Sequence, residues 1–123
     1  MIKNFIFVLP ILFFIGCAQT EKAKTTLYQS GIVSHYSTRT NSTTTASGIP
    51  LNDSLRTAAH KTLPFNTKVK VVREDNPDLQ TTVVITDRGP YIAGRVLDVS
   101  QAAARDLQLI SRGIAKCNIE IIE

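Results

Sequence analysis

The chain has 123 residues, room for one domain that can bury a core without disulfide staples. Its 43% hydrophobic and 20% charged residues exclude a disordered or fibrous chain. The formal charge of +4 comes without a Lys/Arg block or aromatic–basic interleaving, so no nucleic-acid partner is expected, while an anionic polymer would suit it.

Lys3 gives a positive start, and Phe5 to Ile15 is an almost uninterrupted apolar run. As a helix the run would span roughly 16 Å, short of a bilayer core of about 30 Å, so it reads as the core of an export signal. Phe14-Ile15-Gly16-Cys17 resembles the bacterial lipobox, in which the Cys becomes the lipidated first residue of the mature protein. Residues 1–16 are therefore read as a lipoprotein signal peptide, Cys17 as the lipidation site, and 17–27 as a polar tether. Residues 28–123 are read as the folded domain. A secreted protein with an unmodified Cys17 is the alternative. Ala18 lacks the acidic retention signal known in enteric bacteria, so an outer-membrane anchor facing the periplasm is expected.

Cys17 and Cys117 are the only cysteines. Cys117 lies in an alternating apolar segment and reads as a small core residue. A Cys17–Cys117 disulfide is the competing arrangement, and the lipobox argues against it. Two Cys and two His at these spacings make no metal site, and no cofactor is expected.

Gly31 to Ser37 alternates as a first strand, followed by a Ser/Thr-rich loop from Thr38 to Ser47 that ends at Gly48. Arg56 to His60 reads as a short extended segment. Lys68 to Glu74 puts Val69 and Val71 on one face and Lys68 and Lys70 on the other, the period of a half-buried strand. Asp75-Asn76-Pro77-Asp78 is a turn, and Thr81 to Thr86 is the return strand of a hairpin. Arg95 to Val99 is another strand. Ser100 can cap a helix from Gln101 to about Gln108, with Ala103, Ala104 and Leu107 on one face. Ala115, Cys117, Ile119 and Ile121 mark a final strand. Six short strands and a short helix close most economically into a small barrel, because closure removes exposed sheet edges.

Two stretches carry the chemistry. Thr57-Ala58-Ala59-His60 leads into Leu63-Pro64-Phe65. Ile85-Thr86-Asp87-Arg88-Gly89-Pro90-Tyr91 ends an apolar run in an ionisable pair and turns at Gly-Pro. From spacing alone Asp87 can equally be the cap of that turn, and His60 a packing residue. These stretches follow Thr45-Ala46-Ser47-Gly48, and they precede Gly94-Arg95, Leu97-Asp98-Val99-Ser100 and Ala102-Ala103-Ala104. Together, in this order and behind a lipobox, they resemble rare lipoprotein A over about Gly31 to the C-terminus.

The resemblance implies a mainly β fold, a six-stranded double-psi β-barrel with one or two short helices. It implies a lytic transglycosylase that cuts bacterial peptidoglycan between N-acetylmuramic acid and N-acetylglucosamine. The strands cut would be stripped of stem peptides and left with 1,6-anhydromuramic ends. Asp87 and His60 fall on the family's functional positions. Ile49 stands where the family often has an acidic residue, and Ser37 follows His35-Tyr36 where Gly is usual. Such an enzyme can work with one carboxyl, because the nucleophile is the sugar's own C6 hydroxyl. Asp87 is the candidate acid/base, and apolar neighbours such as Ile85 or Tyr91 would help it hold a proton. His60 is expected to assist. Tyr36 and Tyr91 are candidates to stack on a pyranose face, Arg88 to face substrate carboxylates or anchor the Gly89-Pro90 loop, and Ser47 to hydrogen-bond substrate. Asp98 reads as ordering the turn into the helix. The expected partners are glycan strands and, through Cys17, a membrane of the bacterial cell envelope, with the protein a monomer.

Overall fold

The computed structural model describes residues 24–37 and 44–123. The signal segment, Cys17 and most of the tether lie outside the described residues, as does the first part of the Ser/Thr-rich loop. Six strands form: β1 (Thr25–His35), β2 (Thr57–Ala59), β3 (Lys68–Arg73), β4 (Gln80–Asp87), β5 (Arg95–Val99) and β6 (Ala115–Ile122). They close into a barrel in the order β1-β5-β2-β4-β3-β6, and one helix, α1 (Gln101–Asp106), follows β5.

The alternations read from the sequence become the barrel's inward faces. Val69 and Val71 of β3, Val83 and Ile85 of β4, Leu97 and Val99 of β5, and Cys117 and Ile119 of β6 are fully buried in one cluster with Val33, Leu107 and Leu109. Each large aliphatic side chain buried this way contributes about 1.5–3 kcal/mol relative to exposure. Cys117 is a free, buried thiol, pushed up to about 11 mainly by desolvation, so it is a packing residue and not a reactive one.

Two elements differ from their sequence expectation. β1 starts at Thr25, before the alternation begins, because it pairs antiparallel with β6 from Thr25↔Ile122 onward. It stops at His35, and just beyond its end Tyr36 N–H donates to Val99 O at 2.9 Å. Helix α1 ends at Asp106 rather than near Gln108: Leu107 caps it, and Gln108 turns left-handed at φ 54°. Its start is as expected, with the Ser100 hydroxyl accepting from Ala103 N–H. Ala102, Ala103 and Ala104 are all buried, and their small side chains let the short helix lie close against the barrel.

Polar ties hold the helix end. The buried Arg73 donates Nη1 to Leu107 O at 3.0 Å and grips Asp75 through Nε (2.9 Å) and Nη2 (2.6 Å). Arg56 and Thr81 both donate to Asp106, at 2.6 Å and 2.7 Å. The placement of β2 between β4 and β5 matters most for function. It sets the ends of those two neighbours on either side of Ala59, which is the Cα partner of Asp87 across one seam and of Asp98 across the other.

Candidate functional site

Asp87 is the last residue of β4, and the loop Thr45–Gly48 is folded over it. Ala46 N–H and Arg88 N–H both donate to Asp87 Oδ1 at 2.9 Å. One residue on, Ser47 N–H donates to Thr86 O at 3.1 Å. The loop is braced internally: Thr45 Oγ1 lies 3.0 Å from Ser47 Oγ, Thr45 Oγ1 also donates to Ile49 O, and Gly48 N–H donates to Thr45 O at 3.0 Å. Gly48 takes a φ of 85°, which a side chain would resist, so this tight turn needs glycine. Thr45-Ala46-Ser47-Gly48 is thus the clamp that fixes one oxygen of Asp87.

A cavity of about 230 Å³ opens beside Asp87, lined by Tyr36, Leu51, Ala59, Arg88, Tyr91 and Asp98 among others. Of the residues expected from the sequence, it brings Asp87, Tyr36, Arg88 and Tyr91 together. Tyr91 is 79% exposed at its mouth, the position of a side chain able to lie on a flat ligand. Tyr36 is buried, its hydroxyl 2.6 Å from Thr57 Oγ1, and burial raises it to about 12, so it is a neutral donor or acceptor. The Arg88 guanidinium is committed to the chain: Nη1 donates to His60 O at 3.1 Å and Leu63 O at 2.7 Å, and its centre lies 4.1 Å from the Phe65 ring centroid. Ser47 sits half-buried in the clamp.

His60 is placed apart from this cavity. Its backbone meets Asp87, with His60 N–H donating to Asp87 O at 3.1 Å. Its ring lines a different cavity of about 420 Å³, with Tyr28, Gln29, Lys61, Thr62, Arg95 and Val96. Nδ1 accepts Thr62 N–H at 3.1 Å and Leu63 N–H at 3.0 Å, which puts the ring proton on Nε2, 3.0 Å from Gln29 Oε1. Desolvation lowers the histidine's affinity for a second proton, and the charges of Arg88 and Lys61 lower it further. The neutral ring therefore organises the 60–63 turn, on whose carbonyls Arg88 docks.

Asp98, expected from the sequence to order the turn into the helix, is also found beside Asp87. It lines the Asp87 cavity and accepts from Ser34 Oγ at 3.2 Å. Burial raises its proton affinity above the ordinary carboxylate value. The available signal was a carboxylate between two core residues, Leu97 and Val99, on a five-residue strand. Among the described residues, no cluster of three or more His, Cys, Asp or Glu is placed to hold a metal ion.

A family model described as "Lytic transglycolase" matches residues 20–119. The chain is 43% identical over 105 residues to the endolytic peptidoglycan transglycosylase RlpA of Pasteurella multocida, covering 85% of this chain and 35% of that protein. It is 38% identical over 121 residues to the probable endolytic peptidoglycan transglycosylase RlpA of Synechocystis, covering 96% and 37%. The chain thus spans about a third of the length of these curated relatives. Among solved structures, the Streptomyces papain inhibitor superposes with a TM-score of 0.61 at 20% identity, covering 81% of this chain and all of that one. An apo expansin of Clavibacter michiganensis superposes at 0.59 with 22% identity, covering 81% and 51%. These likenesses concern the fold alone, and with the family match they bear out the double-psi barrel.

Proposed function

Since the chain belongs to the lytic transglycolase family, we propose that it is an endolytic lytic transglycosylase acting on peptidoglycan strands stripped of stem peptides. The observation that carries this reading is the clamped carboxylate: Asp87, held through Oδ1 by two backbone N–H groups at the floor of an open cavity. The other oxygen can then work at the sugar from a fixed base.

In the simplest form one carboxyl does both proton transfers. The bond from the muramic C1 to the glucosamine O4 breaks, and O4 leaves with a proton from Asp87. The muramic C6 oxygen bonds to C1 and returns its proton to Asp87. No water is added, so the product carries a 1,6-anhydro ring. Holding the C6 hydroxyl beside C1 supplies the proximity advantage that a free water lacks. Tyr91 is the exposed, sugar-facing aromatic, Tyr36 lines the cavity as a buried side chain, Ser47 completes the clamp and contacts the glycan at its rim, and Arg88 fixes the loop that borders the site. His60 serves the reaction by shaping the turn that receives Arg88.

We also read residues 1–16 as a lipoprotein signal and Cys17 as its lipidated residue, with the domain tethered by 17–27 to the outer membrane, facing the periplasm, as a monomer. The support is the sequence pattern; among the described residues no helix is long and apolar enough to cross a membrane. Cell-wall remodelling at the envelope is the role that fits.

The test incubates the full chain in detergent with amidase-stripped glycan strands and analyses the products by mass spectrometry. Products one water lighter than hydrolysis products, absent with Asp87→Asn, support the reading. A second reading, a non-catalytic expansin-like wall-binding lipoprotein, is favoured by one observation: Ile49, 40% exposed, follows the clamp where the resemblance implies an acidic residue. Strands that pull down the protein yet gain no new ends would favour it.

A further inference from the structure

The cavity beside His60 takes no part in the proton transfers, yet it is larger than the one beside Asp87. It measures about 420 Å³ against about 230 Å³, within the range of ligand pockets, about 300–1,000 Å³. Its walls come from three places. Tyr28 and Gln29 belong to β1, Arg95 and Val96 open β5, and Lys61 and Thr62 follow His60 beyond β2. It adjoins the Asp87 cavity through one bond: Arg88, which lines the Asp87 cavity, donates Nη1 to the carbonyl of His60, whose ring lines this one. A ligand of several linked sugars seated in the first cavity is within reach of the second.

The lining carries two cations, Lys61 and Arg95, and no carboxylate. Among the described residues neither cation is in an ion pair. Lys61 is exposed and Arg95 half-buried. Two unneutralised charges of one sign in a concave wall favour an anion. Their neighbours suit a saccharide. Tyr28 is tilted 59° against the His60 ring with centroids 5.8 Å apart, which steadies the phenol ring while 47% of the residue stays open to a ligand. His60 Nε2–H donates to Gln29 Oε1 at 3.0 Å, so the end of the amide left for a ligand is the NH2 donor. Arg88, the residue the sequence offers for facing substrate carboxylates, cannot serve that purpose: its guanidinium is committed to the His60 and Leu63 carbonyls and to the Phe65 ring.

We propose that this cavity is a carboxylate-reading subsite for the glycan, in which Arg95 and Lys61 hold the lactyl carboxylate of a muramic residue and Tyr28 lies on its sugar ring; this deepens the proposed reading and rests on its glycan substrate. While a stem peptide is attached, the lactyl group is tied in an amide and carries no charge. Removal of the peptide exposes the carboxylate. The two cations thus tell stripped strands from unstripped ones by charge, one cavity away from the bond that is cut.

The test measures binding by calorimetry to the full chain in detergent, in the Asp87→Asn background so that no strand is cut. The probes are amidase-stripped strands, the same strands with their carboxylates converted to methylamides, strands with stem peptides in place, and a chitin oligosaccharide, which has no lactyl group. Stripped strands are expected to bind about tenfold more tightly than the other three, with an advantage that shrinks as salt rises. Lys61→Gln with Arg95→Gln is expected to remove the advantage and, with Asp87 restored, to raise KM for stripped strands while kcat holds. Lys61→Arg is expected to keep the wild-type pattern. Should the double variant melt lower, Lys61→Gln alone, at an exposed side chain, carries the same comparison. Equal binding of stripped and methylamide strands overturns the proposal, as does a folded variant that still discriminates. Strands with stem peptides that bind as tightly as stripped ones also overturn it, because a peptide carboxylate then suffices. In each of these cases a wild type that still cuts stripped strands leaves the transglycosylase reading standing. A chain that discriminates by the carboxylate and makes no cuts sinks that reading and keeps the subsite.

Discussion

Ala46 and Asp87 are 41 residues apart in the chain and joined by one 2.9 Å hydrogen bond, from the loop's backbone to the carboxylate that ends β4. The Thr45-Ala46-Ser47-Gly48 motif therefore supplies geometry rather than a reactive side chain. Asp87→Asn keeps a neutral acceptor but loses the charge-assisted character of two N–H bonds. We expect a stability loss of about 1 kcal/mol and a loss of cleavage of at least about 10²-fold. Urea melts beside the glycan assay check both, and a variant that cleaves at wild-type rate would remove Asp87 from the mechanism.

His60 tests a different link. His60→Ala leaves the buried Leu63 N–H, and Thr62 N–H beside it, without their acceptor, which should cost about 1–3 kcal/mol. His60→Asn, with a carbonyl near the position of Nδ1, should recover much of that. Activity should follow stability of the turn across the two variants. Activity lost equally in both, with the fold intact, would mean that the ring touches substrate.

The same residue sets a pH dependence. The folded state holds His60 neutral, and its proton affinity lies below the ordinary value of 6.5. Below that value the unfolded chain binds the extra proton more readily, so stability is full above pH 6.5 and falls as pH drops through the lowered folded value. Thermal midpoints measured from pH 7.5 downward should show this slope in the wild type and a flatter one in His60→Asn.

Asp75 adds a second, more acidic window. The Arg73 hydrogen bonds hold its carboxyl down to about 2 against an ordinary 3.8. Its contribution is present above pH 3.8 and disappears as pH falls toward 2. Asp75→Asn should remove that part of the acid transition while leaving the glycan site untouched. An unchanged acid transition in this variant would show that the Arg73–Asp75–Arg112 cluster contributes little in solution.

Gly31 lies just before the parallel pairing of β1 with β5 begins at Ile32↔Arg95. A Cβ there would meet Val96 Cγ1 at 2.5 Å, and valine is stiff at χ1. Gly31→Ala should therefore destabilise by about 1–3 kcal/mol, measured by the shift in urea midpoint. A neutral result would mean that the β1–β5 seam opens at little cost.

The strands with clean alternation were legible because their period is a local property: Val69 with Val71, Leu97 with Val99, Cys117 with Ile119. Ser100 as a helix cap was equally local. The first residues of β1 were not legible, since Thr25 to Gln29 lacks alternation and is strand only because β6 pairs with it. The site was half legible. Motif residues pointed to Asp87, yet which side chains share its cavity depends on barrel closure. Ala59 and His60 follow one another and face different cavities. Asp98 joins Asp87 only because β2 lies between their strands, a relation no spacing in the sequence encodes.

β6 pairs with β1 on one side and β3 on the other. Its side chains tie across 95 residues, as in the bond from Thr25 Oγ1 to Glu120. Closure of the barrel therefore rests on some of the longest-range contacts among the described residues, a topology that slows folding. Without β6 in place, β1 and β3 would each show a bare edge, a state open to proteases and to misdirected pairing. The C-terminal strand is the latch of the domain, and shortening it would unseal two seams at once.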